Sequence, residues 1–369
     1  MADREQELVL FGATGFTGAL TARYLARVAP PDLRWALAGR NRSKLERLRD
    51  DLGAEIPVLV ADVGDSDSLR RVAEASKVVL TTVGPYIRYG EPLVAACAEA
   101  GTHYGDLTGE PEFADRMFLR YDARARETGA RIVHCCGFDS IPSDLGVYFT
   151  VKQLPEGVPI KIEGFLRIHG KPSGGTATTM RMMVGRLPKI AATARRRRRA
   201  EPPIDGRETH RRSGVPRYER AVGAWVLPLP IIDPQIVQRS ARALDRYGPN
   251  FTYRHNLVLD RLGEMAHQLW STVRKGAPKP GEGPTPEERA ESWFKLRFVG
   301  RGGGRRVVTE VSGGDPGYDE TAKMLGETGL CLARDDIPER SGQLTTAAAM
   351  GDALLARLQR AGIKFEVLS

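Results

Sequence analysis

Long hydrophobic runs are missing from this chain. No stretch of about 18 apolar residues occurs in its 369, so no membrane-spanning helix is expected. The most apolar late stretch, 221–237, is broken by Pro228, Pro230, Asp233 and Pro234. The first residues carry no apolar signal segment. Cysteine is scarce, and Cys97, Cys135, Cys136 and Cys331 form no C-x-x-C pair. That spacing excludes a zinc framework and a disulfide scaffold, and a protein of the reducing cytoplasm is expected. His103, His134 and Asp106 share no element with ligand spacing, so no metal is expected. The first 146 residues hold no Tyr-x-x-x-Lys pair, which argues against a short-chain reductase. No internal repeat is present.

Broadly spread positive charge is missing too. The formal net charge is +9, yet residues 186–220 alone hold twelve Lys/Arg against four Asp/Glu, a net +8. The remainder is close to neutral, so a surface that coats nucleic acid is not expected. The densest part of this insert is Arg195 to Arg199. It suits an acidic protein partner, a plain solvated face, or a nucleic-acid strand. The last is disfavoured because Tyr218 is the insert's single aromatic.

What the chain does have is glycine at telling places. Leu8–Phe11 leads into Gly12-Ala13-Thr14-Gly15-Phe16-Thr17-Gly18, and a helical pattern follows. Strand, tight turn and helix in this order form a phosphate cradle. Gly12 permits the turn, Gly15 lets backbone approach a pyrophosphate, and Gly18 lets the helix pack on its strand. Free N–H groups and the helix dipole attract the anion. A second strand, 35–38, ends at Gly39-Arg40-Asn41. An NAD site places a carboxylate there, whereas Arg40, with Arg42 and Lys44 behind it, suits a 2′-phosphate. The expected cofactor is therefore NADPH.

Apolar runs at 8–11, 35–38, 58–60, 78–80, 103–104 and 131–134 alternate with helical patterns at 19–28, 43–52, 66–73, 91–100 and 110–128. Ser43 with Glu46 reads as a capping box, and Asp65 or Ser66 as the next cap. The alternation predicts an α/β class, a Rossmann-like doubly wound parallel sheet over residues 1–146. Residues 147–314 read as a second, α+β domain with a mostly antiparallel sheet. In it, 160–169 alternates like a strand and 181–199 reads as a helix. Residues 201–220 read as a loop or lid, and 275–288 as a linker. Two strands, 293–299 and 305–311, flank a glycine-rich turn. Residues 315–369 read as a helical tail returning to the first domain, with Met350, Leu354, Leu355 and Leu358 as its buried stripe.

Three motifs, Gly12 to Gly18, Ala38-Gly39-Arg40 and Val83-Gly84-Pro85-Tyr86, resemble the saccharopine-dehydrogenase-like reductases. The runs Gly101 to Glu110, Cys136 to Asp144, Asp315-Pro316-Gly317-Tyr318 and Thr321 to Leu325 are similar to the trans-acting enoyl reductase branch. The resemblance implies an NADPH-dependent oxidoreductase and a homodimer, serving polyketide or lipid biosynthesis. It implies hydride transfer to the C=C of an enoyl thioester, which an acidic acyl carrier protein can present to Arg195–Arg199. The alternatives are an imine or carbonyl reductase, or a non-catalytic NADPH-binding scaffold.

Residue by residue, the resemblance lays Val83, Gly84, Pro85 and Tyr86 along the nicotinamide ribose. Asp62 and Val63 meet adenine, and Gly137 and Phe138 face the nicotinamide. Tyr86 is the first candidate proton donor and Asp139 the second. Each has a plain alternative: Tyr86 as a core aromatic, Asp62 as a helix-preceding cap, and Asp139 or Ser140 as the cap before Pro142.

Overall fold

The computed structural model describes residues 4–170, 185–259 and 283–369, apart from 203, 205, 213 and 230. Six strands, β1 (Gln6–Phe11), β2 (Trp35–Gly39), β3 (Val58–Val60), β4 (Ser76–Thr81), β5 (His103–Asp106) and β6 (Arg131–Val133), are linked by helices. The helices are α1 (Phe16–Val28), α2 (Arg42–Leu52), α3 (Ser66–Ala75), α4 (Tyr86–Tyr89), α5 (Glu91–Ala100) and α6 (Pro111–Thr128). The central strands β1 and β2 are apolar and almost wholly buried, as parallel strands covered on both faces must be. Asp65 caps α3, as expected, accepting from Asp67 N and Ser68 N. The cap of α2 is a correction. Asn41, not Ser43, fills it, accepting from Lys44 N at 3.0 Å.

Helix α7 (Ile141–Val151) crosses the boundary expected at 146 and 147. It leaves the end of β6 and packs on the second sheet. A side chain at Gly146 would run into the Phe298 ring. The second sheet contains β7 (Ile160–His169), β8 (Glu208–Arg211), β9 (Arg217–Glu219), β10 (Ala224–Pro228), β11 (Asn250–Leu259), β12 (Trp293–Gly302) and β13 (Arg305–Gly313). Two further strands follow, β14 (Gly342–Leu344) and β15 (Lys364–Val367).

The first sheet has seven strands in the order β14-β6-β5-β4-β1-β2-β3, all parallel. The second has eight, running β15-β13-β12-β7-β11-β10-β9, with β8 beside β11. It is mostly antiparallel, but β7–β11 and β8–β11 are parallel. The hairpin β12–β13 turns at Gly303 and Gly304, with φ of +57° and +76°. Backbones of that kind favour glycine.

Three further expectations need correcting. The segment 201–220 carries β8 and β9 rather than a bare loop. Within 275–288, residues 275–282 lie outside the described residues. The rest enters the helix Pro286–Ala290 through a capping box of Thr285 and Glu288. The tail serves both sheets: β14 extends the first beside β6, and β15 extends the second beside β13. The basic helix runs Leu187–Ala200, while 181–184 and 260–269 lie outside the described residues. Among the described residues no helix is long and apolar enough to cross a membrane.

Candidate functional site

The carboxyl ends of the parallel strands gather the motif residues on one edge, where such sheets bind ligands. Gly12 follows β1 with φ of +83°, and a Cβ there would lie 2.6 Å from Val83 Cγ2. A Cβ on Gly18 would overlap the Gly12 carbonyl. The turn and the close packing thus require both glycines. Gly15 is the N-cap of α1 and offers no side-chain bond to its first turn. Thr14 and Gly15 are exposed, and Phe16 and Thr17 are half-buried. The first N–H groups of α1 therefore face an open cradle fit for a pyrophosphate.

Arg40 stands exposed after the buried Gly39 at the end of β2. Among the described residues it has no hydrogen-bond or ion-pair partner. A free guanidinium there fits a 2′-phosphate. Asp62 accepts from Gly64 N at 2.8 Å and shapes the turn after β3, leaving the cap of α3 to Asp65. Val63, like Asp62, is half-buried.

Val83 and Gly84 lead into Pro85 through a cis peptide bond. The Tyr86 hydroxyl donates to Thr81 O at 3.0 Å and accepts from Leu107 N at 3.1 Å. The ring is buried and tilted on Phe113. Burial, then the Asp106 charge, pushes the phenol well above its usual range. Tyr86 thus ties the ends of β4 and β5 together, as the core-aromatic alternative has it.

Two carboxylates had no assigned role in the sequence. Glu110 accepts from Tyr86 N at 2.9 Å and Ile87 N at 2.8 Å, capping α4 from another segment. Asp106 accepts from four donors: Thr108 N, Cys135 N, the Tyr104 hydroxyl, and His134 Nδ1 at 2.7 Å. This network holds Cys135 at φ +63°, a strained backbone for a non-glycine residue. His103 pairs instead with Arg131, and burial pushes its pKa down to about 3. The two histidines therefore serve separate contacts. Among the described residues no group of three or more His, Cys, Asp or Glu could hold a metal.

Gly137 is hemmed in. A Cβ would lie 2.7 Å from Leu107 Cδ2 and 2.9 Å from Thr321 Cγ2. Phe138 N donates to Thr321 Oγ1 at 3.1 Å, and that hydroxyl donates to Pro316 O. The same late segment reaches the glycine loop, where Tyr318 meets Phe16 edge to face at 4.8 Å. Asp315 shapes this segment by accepting from Gly317, Tyr318 and Asp319 N–H groups. The late motif thus touches both the glycine loop and the turn after β6.

Ser140 is the N-cap of α7, but its side chain makes no cap bond. Asp139 is half-buried, with Oδ1 2.9 Å from where a Gly109 Cβ would stand. Burial first, then the Asp106 charge, pushes its carboxyl up to about 7. A carboxyl poised near neutrality at a strand end can give or take a proton.

Comparison with known proteins agrees with this geometry. Residues 8–133 match the saccharopine dehydrogenase NADP binding domain. The trans-acting enoyl reductase of Mycobacterium ulcerans is 38% identical, over 98% of this chain and 97% of its own. That of Mycobacterium tuberculosis H37Rv is 38% identical over the same shares. Among solved structures, apo saccharopine dehydrogenase (L-Glu forming) from Saccharomyces cerevisiae superposes with a TM-score of 0.54. It covers 99% of this chain and all of its own at 11% identity, a likeness of fold. The chain belongs to the trans-acting enoyl reductase family, and its residues 8–133 match the saccharopine dehydrogenase NADP binding domain.

Proposed function

We propose that this protein is an NADPH-dependent reductase of the C=C bond of an enoyl thioester. The observation that carries the reading is Asp139. Its carboxyl, raised to about 7, stands on the turn after β6, next to Gly137 and Phe138. NADPH supplies, when bound, a hydride for the β-carbon of the substrate. Gly12 to Gly18 would hold its pyrophosphate, and Arg40 would pair with its 2′-phosphate. Glu110 and Tyr86 hold the turn after β4 in place. The C=C electron pair moves onto the thioester oxygen as an enolate. Asp139 then gives its proton to the α-carbon as the C=O reforms, and it recovers a proton from water. Tyr86 is the weaker candidate because its proton already serves Thr81 O.

The proposal extends to an acidic carrier protein that presents the thioester. Arg195, Arg196, Arg198 and Arg199 are exposed and without partners among the described residues. Arg197 differs. It is buried, stacks 3.9 Å from the centre of the Phe118 ring, and bonds Glu201 and Gln343. Four arginines, not five, are thus available to a partner, and their encounter would be salt-sensitive. The four buried, unpaired cysteines support a reducing compartment.

The test is NADPH oxidation with trans-2-enoyl pantetheines, free and carrier-bound, beside imine and ketone panels. The reading expects turnover with the enoyl substrates and at least a hundredfold loss in Asp139→Asn. Turnover confined to imines or ketones refutes it. Replacing the four exposed arginines by serine should slow only carrier-bound substrate.

A further inference from the structure

The phosphate cradle carries no cation of its own. Gly12 to Gly18 contain no Lys or Arg, and Arg40 is committed to the 2′-phosphate. The N-terminus of α1 supplies only about half a unit of positive charge, against about two negative charges on a pyrophosphate. A second positive group beside the loop would complete the site.

The rim of the loop holds one. Phe16 is the first residue of α1, directly after Gly15. Three groups from late in the chain enclose its ring. Tyr318 meets it edge to face at 4.8 Å. Gly283 lies so close that a Cβ there would overlap the ring. The Arg289 guanidinium lies 5.8 Å from the ring centre, within cation–π range. Arg289 stands on the helix Pro286–Ala290, just before β12 of the second sheet. The contact therefore brings a cation of one domain to the cradle of the other.

Arg289 is held but not used up. Its Nε donates to both carboxylate oxygens of Asp319 at 3.0 Å, and Nη1 donates to Pro284 O at 2.8 Å. Among the described residues Nη2 makes no hydrogen bond. The Arg289 side chain is 12% exposed, whereas Asp319 is 47% exposed. An ion pair whose acid lies half in water adds little stability. What it does supply is a fixed guanidinium plane with one nitrogen left open, the geometry that suits a phosphate oxygen.

We propose that Arg289 is a pyrophosphate-binding residue supplied by the second domain, with Phe16 as the shelf that carries it. With the cofactor bound, Nη2 would pair with the pyrophosphate while Nε and Nη1 keep the side chain in place. NADPH and NADH would gain alike, in contrast to the selective role of Arg40. The inference rests on the NADP binding domain and not on the enoyl-thioester reading.

The experiment is equilibrium titration of the full chain, without turnover. The ligands are NADPH, NADH, ADP-ribose and adenosine 2′-monophosphate, the last of which lacks the pyrophosphate. In Arg289→Gln the Kd of the first three should rise alike, by about tenfold or more, and that of the fourth should stay within about twofold. Arg289→Lys keeps the charge and should recover most of the loss. Asp319→Asn should act with the opposite sign. It removes an acid beside the cradle and frees the guanidinium, so NADPH should bind as tightly or more tightly. Unchanged Kd values for the pyrophosphate ligands in Arg289→Gln overturn the proposal. An equal loss with adenosine 2′-monophosphate also overturns it, as does a loss in Asp319→Asn that matches Arg289→Gln. Either result makes the pair a structural clasp.

Discussion

Two turns on the same edge of the first sheet follow opposite rules. The glycine loop after β1 leaves polar groups open: the α1 N-terminus has no side-chain cap, and Arg40 beside it has no partner among the described residues. The ends of β5 and β6 close theirs, with Asp106 accepting from four donors and Glu110 from two. In the proposed reading the open groups are the ones left for a ligand, while the closed groups hold the frame. Asp139 lies between these regimes. It is half-buried, and burial first, then the Asp106 charge, keeps the proton on its carboxyl.

Substitutions on either side can break or sharpen this contrast. The largest effect is expected at Gly18→Val, where the side chain would overlap the Gly12 carbonyl and block the turn. NADPH affinity, followed by fluorescence titration, should fall more than a thousandfold. Asp106→Asn should act on the other side. It removes the charge that four donors face, so stability in urea should drop by about 3 kcal/mol. NADPH affinity of the folded fraction should stay within threefold. An equal effect on binding would erase the distinction between frame and ligand groups.

Arg40→Ser should cost about 1–2 kcal/mol of NADPH binding, a ten- to thirtyfold rise in Kd. NADH affinity should be unchanged. An equal loss for both cofactors would mean that Arg40 shapes the loop instead of reading the phosphate. The smallest effect belongs to Tyr86→Phe. It removes the bond to Thr81 O and leaves Leu107 N unpaired, which costs about 1–2 kcal/mol of stability. Single-turnover reduction should change less than threefold. A hundredfold loss would restore Tyr86 as the proton donor.

The same contrast explains what the sequence could reveal. Open features are local: three glycines in seven residues and an arginine after a strand can be read directly. So can the strand and helix alternation of the first domain. Closed features depend on distant partners. Glu110 caps a helix 24 residues earlier, and Asp106 bonds His134, 28 residues later, so neither role has a local pattern. The α2 cap is ambiguous in the sequence because Asn41 and Ser43 are both good caps two residues apart. Strands β8 and β9 are hard to read for a different reason. They are short, polar and near the edge of the second sheet, where β-patterning is weakest. The double role of the tail was equally hidden, since β15 finds its register only through β13.

The pH dependence of single-turnover NADPH oxidation with a trans-2-enoyl thioester tests the central claim most directly. In the proposed mechanism the protonated Asp139 is the active form, and burial, then the Asp106 charge, raises its carboxyl to about 7. The rate should be constant at low pH and fall tenfold per unit once pH rises past about 7. In Asp139→Asn that limb should vanish along with most of the rate. A wild-type rate that stays flat from pH 5 to 9, or an Asp139→Asn variant that keeps the limb, would contradict the assignment.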